Sequence, residues 1–490
     1  VQIAEVLLLL AAAAFLALHF WHLRADFPNH SPWLDWAKYT DEGWYGDAAI
    51  RYYLRGHWHV PGDFNPAAAL PVWPLLEGLL FGLTRVDIVP ARSLAVAVFV
   101  ASALVVYVLM RRRPTEADGV AQKLAPAVAV LLLAVSPFLY VFSRMAILEP
   151  MLILLTLLAL WVAWTLPEGR WLRWVRPVAL GILMALMIGT KTTAVCLMPA
   201  ILWMLWCGEE KNLRRFVLSA AIAAGIAVGV ISAYFLLIIS PHYMADFKYL
   251  FTANQYTGIT RATFWQVVNE TLHDTAWTGP TIALVALLSV LASLFRRKIW
   301  RDPLFTACVL WVGGYFSFLA YHASLQPRYY MVVAAPLTIL AVRGAEDLCL
   351  TWRRCTIPFA LVFACIAATD ARQTLHYVRH PQYTFAEAAA KVKAVVEAEK
   401  NHSHVVLSIS GSDLTLMTGL PSICDDFGTM ELDQRIAAYR PGWFIAWNYV
   451  EDDKMEALAR FYRLSRVAEF PALDDPDRNL LVVYRLDARK

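Results

Sequence analysis

Charge is scarce in this sequence, and three places where it gathers have residue types suited to acid–base and anion chemistry. The first runs Thr40-Asp41-Glu42-Gly43-Trp44-Tyr45-Gly46-Asp47, followed after a short helical pattern by Gly56-His57-Trp58. The second runs Ser143-Arg144-Met145-Ala146-Ile147-Leu148-Glu149-Pro150. The third pairs Thr190-Lys191 with Gln326-Pro327-Arg328-Tyr329. Adjacent carboxylates suit proton transfer, because a neighbouring negative charge and partial burial both raise a carboxyl pKa towards a usable range. Arg144, Lys191 and Arg328 suit an anionic partner, which arginine binds through two parallel charge-assisted bonds. Each group also has a plainer reading. Asp41 is a good helix N-cap, Arg144 and Glu149 make an ion pair across a tight turn, and Lys191 and Arg328 are snorkelling side chains at helix ends. His57 and His59 flank Trp58, but two histidines without a third ligand make a weak metal site, and no other spacing resembles one. The functional reading rests on convergence, since acids and bases at the ends of apolar segments are costly.

The elements that must position these residues follow from composition. The 490 residues are 59% hydrophobic and 17% charged, with a mean hydropathy of +0.50. Soluble domains run at roughly 45–50% apolar and about 25% charged. Disorder, a secreted disulfide scaffold and a cytosolic enzyme are thereby excluded, and a net charge of +4 gives no case for a nucleic-acid partner. Cys196, Cys207, Cys308, Cys349, Cys355 and Cys365 lie in or beside apolar segments, and only Cys424 lies in a polar one. The composition is that of a polytopic α-helical membrane protein.

About eleven segments approach spanning length: 3–20, 91–110, 124–142, 147–165, 177–190, 192–207, 216–239, 280–295, 304–321, 330–348 and 356–369. The first lacks a basic leader and a small-residue cleavage site, and reads as a retained helix. Connections alternate in basic content. Arg111, Arg112, Arg113 and Lys123 share one loop, and Arg170, Arg173 and Arg176 the next of its class. Lys211, Arg214 and Arg215 follow, then Arg296, Arg297, Lys298 and Arg301, then Arg343, Arg353 and Arg354. The intervening turns carry Arg144, Lys191 or Arg328 alone. The positive-inside rule puts the basic set in the cytoplasm. The N-terminus is then cytoplasmic, and residues 21–90, 240–279 and 370–490 lie outside the cytoplasmic (inner) membrane.

Two of the outer segments are long enough to be functional. Residues 21–90 hold Trp21, Trp33, Trp36, Trp44, Trp58 and Trp73, and 240–279 is similarly aromatic. Tryptophan favours the headgroup level, so both are expected to lie along the outer surface as interfacial helices. A membrane module over 1–369 is thus followed by a 370–490 extracytoplasmic α/β domain. In it, 385–399, 431–439 and 452–462 read as helices, and 404–409, 443–449, 466–470 and 480–486 as strands.

The stretch TDEGWYGDAAIRYYLRGHWHVPGDFNPAAALPVWPLLEGLLF, residues 40–81, resembles the first outer loop of family-39-type glycosyltransferases. These are GT-C enzymes related to protein O-mannosyltransferases and the lipid A aminoarabinose transferase. Arg144…Glu149, Thr190-Lys191 and Gln326-Pro327-Arg328-Tyr329…Pro336 fall where that family carries similar elements. The resemblance covers segments one to ten. The chain lacks the His-Pro-Pro-Leu-Gly element of the O-mannosyltransferases. Asn65-Pro66-Ala67-Ala68 stands where aminoarabinose transferases have Glu-Lys-Pro-Pro, so neither acceptor carries over.

The resemblance implies a GT-C membrane module that moves a sugar from a polyprenyl-phosphate-linked donor to an acceptor hydroxyl, with inversion. Asp41 is then the general base, with Glu42 beside it; Lys191, Arg328 and Arg144 bind the leaving phosphate. Glu149, Tyr45 and Asn65 hold or orient the acceptor, which is a lipid, a glycan or a protein. No metal and no cofactor are expected, since two or three cations stand near a monophosphate. Partners are membrane lipids, the donor and its acceptor, and a larger membrane assembly is compatible. Two rivals remain: a transporter, and a catalytically silent GT-C subunit of a larger complex. Transporters place charge at mid-membrane on broken helices and often show repeated halves. Here the charge sits at one face and no repeat is visible, while the silent subunit is opposed only by the joint presence of Asp41, Lys191 and Arg328.

Overall fold

Apolar segments of this length fold as helices, because a helix satisfies its own backbone where no water can. The computed structural model describes residues 1–490 apart from 113–118, 166–171, 254–257, 274–279, 297, 323–325, 449–451, 474 and 490. Arg113, Arg170, Arg297 and Tyr449 lie outside the described residues. Helix α1 (Gln2–Leu18) precedes α2 (Asp41–Arg55) and α3 (Val72–Leu83), which belong to the first long loop. Then come α4 (Ile88–Arg111), α5 (Val120–Val135), α6 (Pro137–Phe142), α7 (Leu148–Trp164), α8 (Leu172–Thr190), α9 (Met198–Gly208) and α10 (Leu213–Tyr234). The second long loop carries α11 (Ser240–His242), α12 (Met244–Ala253) and α13 (Arg261–His273). Helices α14 (Pro280–Ser293), α15 (Pro303–Tyr321), α16 (Met331–Thr351) and α17 (Thr356–Arg379) complete the apolar part.

A helix lies over each of the eleven apolar segments. Among the described residues, four helical stretches are long and apolar enough to cross a membrane, namely Ile88–Arg111, Leu213–His242, Pro303–Tyr321 and Arg353–Ala398. Segment 124–142 is divided at Ser136-Pro137, where the serine hydroxyl accepts from Leu139 N (3.3 Å) and starts α6. Every residue from Met331 to Glu346 of α16 is buried, which marks the centre of the bundle. Helix α10 instead buries only Ser219, Ala223 and Ala227, a small-residue stripe against α8. There Gly181 comes so close that a Cβ would stand 2.5 Å from Ala223 O.

The boundary expected at 369/370 falls inside α17, which continues for another ten residues to Arg379. Its second half stays helical because it packs on the bundle: Thr374 Oγ1 donates to Val135 O at 2.7 Å, and Tyr377 is buried. After it come α18 (Thr384–Ala398), β1 (Val406–Leu407), α19 (Gly411–Thr418), β2 (Ser422–Ile423), α20 (Leu432–Tyr439), β3 (Trp443–Trp447), α21 (Asp452–Phe461), β4 (Tyr462–Pro471) and β5 (Leu480–Ala488). The sheet order is β2-β1-β3-β5-β4, with β1 parallel to β2 and β3, and β5 antiparallel to β3 and β4. The expected helices and strands are present with adjusted ends. Helix α19 and strand β2 are additional. Seven of the eight residues of α19 are buried, so it shows no amphipathic stripe, and β2 has only two residues.

The first long loop does not simply lie on the outer surface. Trp33 and Trp73 are buried in the main core, whereas Trp21 and Trp36 are 59% and 43% exposed. The first turn of α2 is covered by α19. Thr40, at the N-cap, makes no capping bond with its side chain; the Asp413 carboxylate of α19 accepts from Gly43 N instead. Asp41 is therefore not the cap of its own helix. Farther along α2, Arg51 pairs with Asp47 (2.8 Å) and Asp63, and Asp63 Oδ1 accepts from Cys424 N at 3.0 Å. Arg55 Nη2 donates to Ser422 O at 3.0 Å.

A Cβ on Gly43 would stand 2.2 Å from the Ser412 carbonyl carbon and 2.3 Å from Asp413 N. Alanine normally stabilises a helix interior by about 1 kcal/mol over glycine. At position 43 it must push α19 off α2, and overpacking of this kind costs about 1–3 kcal/mol. Gly43→Ala is expected to lower the thermal midpoint and expose the C-terminal region to protease, while Gly229→Ala, with open space around it, does neither. Equal midpoints and cleavage patterns for the two variants would show that the contact is not tight.

Candidate functional site

The residues of the candidate site come from four segments. Asp41 opens α2, and Asp35 lies in the turn before it, ahead of a short 3-10 helix at Trp36–Lys38. Arg328 belongs to the 3-10 turn Pro327–Tyr330 that leads into α16. Its backbone N donates to Asp35 Oδ2 at 2.9 Å and its guanidinium bonds Asp35 Oδ1. The same guanidinium reaches the second carboxylate, with Arg328 Nη2 at 3.0 Å from Asp41 Oδ2. That approach is an ion pair without hydrogen-bond alignment, so Asp41 Oδ2 keeps its lone pairs free of protein hydrogen bonds. Asp41 Oδ1 accepts from Thr40 Oγ1 at 3.1 Å.

Lys191 and Glu149 complete the group. Lys191 follows the last residue of α8, Glu149 sits in the first turn of α7, and the ammonium bonds Glu149 Oε1. The ring of Tyr329 lies between the two cations, 4.3 Å from Lys191 Nζ and 4.8 Å from Arg328 Cζ, close enough for cation–π attraction. Tyr45, one turn after Asp41 on α2, faces Asp41, Arg328 and Glu149. Burial pushes the Asp41 carboxyl above its usual range. Arg328 opposes that rise, and the negative charges of Asp35 and Glu149 add to it.

Three expected members lie elsewhere. Glu42 is adjacent in sequence but points away, held by the Arg92 guanidinium (Nε to Oε1, 2.8 Å) and by Ala146 N (2.9 Å). The neighbours that raise the Asp41 pKa are thus Asp35 and Glu149, in place of the expected Glu42. Arg144 meets neither Glu149 nor the other cations. It donates to Tyr140 OH (2.7 Å) and to the carbonyls of Trp21 (2.7 Å) and His22 (2.6 Å), fixing the end of the first segment. Asn65 bridges Arg51 Nη1 (2.9 Å) and Asp246 Oδ1 (2.9 Å), well down α2 from Asp41. His59 Nε2 is 3.0 Å from Asp246 Oδ2, while His57 is exposed. Among the described residues no group of three or more His, Cys, Asp or Glu side chains is placed to hold a metal.

Sequence reasoning missed Asp35, Arg92 and Asp413. Arg92 carries a usable signal, since an arginine inside an apolar segment needs a buried partner. Asp35 has no spacing that marks it, and Asp413 lies on a helix that sequence pattern does not reveal.

Residues 66–244 match the family model described as dolichyl-phosphate-mannose-protein mannosyltransferase. No curated protein sequence matches the chain. Among solved structures, ArnT from Cupriavidus metallidurans in the apo state is similar at 15% identity and a TM-score of 0.64, over 98% of each chain. The same enzyme bound to undecaprenyl phosphate is similar at 16% identity and a TM-score of 0.63, over 98% of this chain and 99% of that one. The Archaeoglobus fulgidus oligosaccharyltransferase, in a complex with Zn and sulfate, follows at 11% identity and a TM-score of 0.54, over 98% of this chain and 72% of that one. The chain has the GT-C fold, that of membrane glycosyltransferases related to protein O-mannosyltransferases and ArnT.

Proposed function

We propose that this protein is a membrane glycosyltransferase that moves a sugar from a polyprenyl-phosphate donor to an acceptor hydroxyl, inverting the anomeric centre. The observation that carries the reading is the convergence of Asp41, Arg328 and Lys191, from separate segments, into one buried group. As the acceptor oxygen bonds to the anomeric carbon, its proton passes to Asp41 Oδ2, the oxygen free of protein hydrogen bonds. The bond from that carbon to the donor phosphate breaks, and Arg328 and Lys191 neutralise the departing polyprenyl phosphate. Glu149 holds Lys191 until the phosphate takes its place. Two cations already face the leaving group, so the reading includes no metal ion.

The donor class is supported by the undecaprenyl phosphate of the Cupriavidus metallidurans enzyme and by the family model of 66–244. It is also supported by an apolar cavity of about 500 Å³ lined by Tyr52, Leu75, Leu79, Tyr234 and Ile238, beside the middle of α2. Such a cavity suits an isoprenoid chain. The reading further takes all eleven apolar segments as spans of the inner membrane, with a cytoplasmic N-terminus. The C-terminal sheet region is then an extracytoplasmic domain on the same side as Asp41.

Asp41→Asn tests the chemistry. Asparagine cannot take the proton, and a general base contributes about 10²–10⁴-fold in rate. The variant is expected to bind undecaprenyl phosphate normally and to lose nearly all transfer. Lys191→Gln keeps a donor towards Glu149 but no charge, and should weaken undecaprenyl phosphate binding about tenfold or more, as for a lost charge-assisted bond. Transfer by Asp41→Asn at above roughly a tenth of the normal rate would remove Asp41 as the base.

The pH profile has a defined sign. Because the Asp41 carboxyl lies above its ordinary 3.8, the ionised base is lost as pH falls through that raised value. Asp35→Asn removes a repelling charge and leaves Arg328 to Asp41, so both changes favour the ionised form. The acid limb of transfer rate against pH should move to lower pH in Asp35→Asn. A limb that stays or moves upward would separate Asp41 from the titration.

Orientation is tested by fusion at the C-terminus. Alkaline phosphatase joined there should be active and a cytoplasmic reporter silent, and the reverse pattern would place Asp41 on the wrong side for this donor.

A further inference from the structure

The C-terminal sheet has a feature that the transfer chemistry does not use. Strands β2, β1 and β3 run parallel in that spatial order. The chain leaves β1 for β2 on one side and returns to β3 on the other, so connections diverge between β1 and β3. In open α/β sheets such a divergence leaves a crevice beyond the carboxyl ends of the strands, where ligands bind. A cleft of about 110 Å³ lies there, between Ile409 after β1, Trp447 at the end of β3, and Asp425 and Asp426 after β2. Lys454 and Arg478 close its sides, and Trp36 of the first outer loop forms part of its wall.

Two residues lining this cleft each bury one polar atom that makes no aligned hydrogen bond. Asp425 is 95% buried by its 5% exposure, yet its Oδ1 accepts no hydrogen bond; Lys454 Nζ stands 3.7 Å away. Trp447, 6% exposed, buries an indole N–H that no protein group accepts. Native structures leave few such groups unpaired, and each calls for an explanation. A ligand with both hydroxyl donors and oxygen acceptors satisfies both. Charge narrows the class further. Asp425, Asp426 and Asp477 line the cleft against Lys454 and Arg478, three carboxylates to two cations. Lys454 stands between Asp425 and Asp426, and Arg478 lies over the Trp36 ring at 4.3 Å and near Asp475 at 3.8 Å. Neither cation is left for a phosphate or a uronate.

The cleft also adjoins the transfer site. Trp36 follows Asp35, the carboxylate that holds Arg328, and Trp36 N donates to Gln326 Oε1 at 3.1 Å, two residues before Arg328. We propose that the cleft between β1, β3 and Trp36 binds a neutral, hydroxyl-rich sugar ring of the acceptor. That the ring belongs to the acceptor rests on the glycosyltransferase reading; that a neutral sugar binds does not. Asp425 accepts from the sugar hydroxyls, the Trp447 indole donates to a ring or hydroxyl oxygen, and the Trp36 edge of the cleft covers the ring.

Saturation-transfer NMR on the full chain in lipid nanodiscs tests this, with methyl α-D-mannopyranoside and methyl β-D-glucopyranoside as neutral probes and glucose 6-phosphate as the anionic one. At least one neutral probe should bind, and the phosphorylated one should not compete. Asp425→Asn should weaken that binding about tenfold, as for a lost charge-assisted bond. Trp36→Ala, at an exposed position outside the sheet, should weaken it without unfolding the region. Asp41→Asn should retain the neutral signal whether or not it transfers sugar, so failure of the base reading leaves this result intact. Asp425→Asn should still bind undecaprenyl phosphate. The proposal is overturned by no neutral binding, by binding unchanged in both cleft variants, by stronger binding of glucose 6-phosphate, or by a signal lost in Asp41→Asn, which would put the probe in the transfer site.

Discussion

One guanidinium sets the terms for the rest of the site. Arg328 is 5% exposed and lies between Asp35 and Asp41, two buried carboxylates that share its guanidinium. Yet the compensation is incomplete. Asp35, Asp41 and Glu149 supply three negative charges, and Arg328 and Lys191 two positive ones. Among these carboxylates Asp41 is the one whose burial pushes its carboxyl upward, against the pull of Arg328. The proposed role of Asp41 as base rests on that position within the group.

The partners of these charges explain the division of labour among the acidic residues. Glu42 is next to Asp41 in sequence, but successive residues of a helix point about 100° apart. It turns into the bundle, where Arg92 and a backbone N–H satisfy it. Arg144, five residues from Glu149, is committed to carbonyls at the end of the first segment. These are strong contacts that hold the fold around the site. Within the Asp35–Asp41–Glu149 group, one carboxylate oxygen of Asp41 and one of Glu149 accept no hydrogen bond from the protein.

Much of this was readable from sequence where cost was the signal. Asp41, Lys191 and Arg328 stand out because charge beside apolar segments demands a reason, and the three do converge. Pairing was less readable. Glu149 suggests Arg144 by proximity, whereas the actual partner, Lys191, is 42 residues away and arrives there only because α7 and α8 pack side by side. The burial of part of 21–90 was hidden from sequence for a related cause. Tryptophan suits an interface, but Trp33 and Trp73 are also large enough to fill a core, and rings of α6 and α17 pack against Trp33. Asp413 was beyond reach, since a short helix buried on nearly every side leaves no periodic pattern.

The Asp413–Gly43 contact also bears on how such a protein can change over time. The helix that presents Asp41 begins inside a backbone seat made by α19, with no room for even one methyl group between them. The sheet region is therefore not an interchangeable accessory that can be traded for that of a relative. A graft from another chain would have to bring its own counterpart of Asp413 and match the curvature of α2 to within a carbon radius. A side chain added on either face of that contact has to be matched by a change on the other.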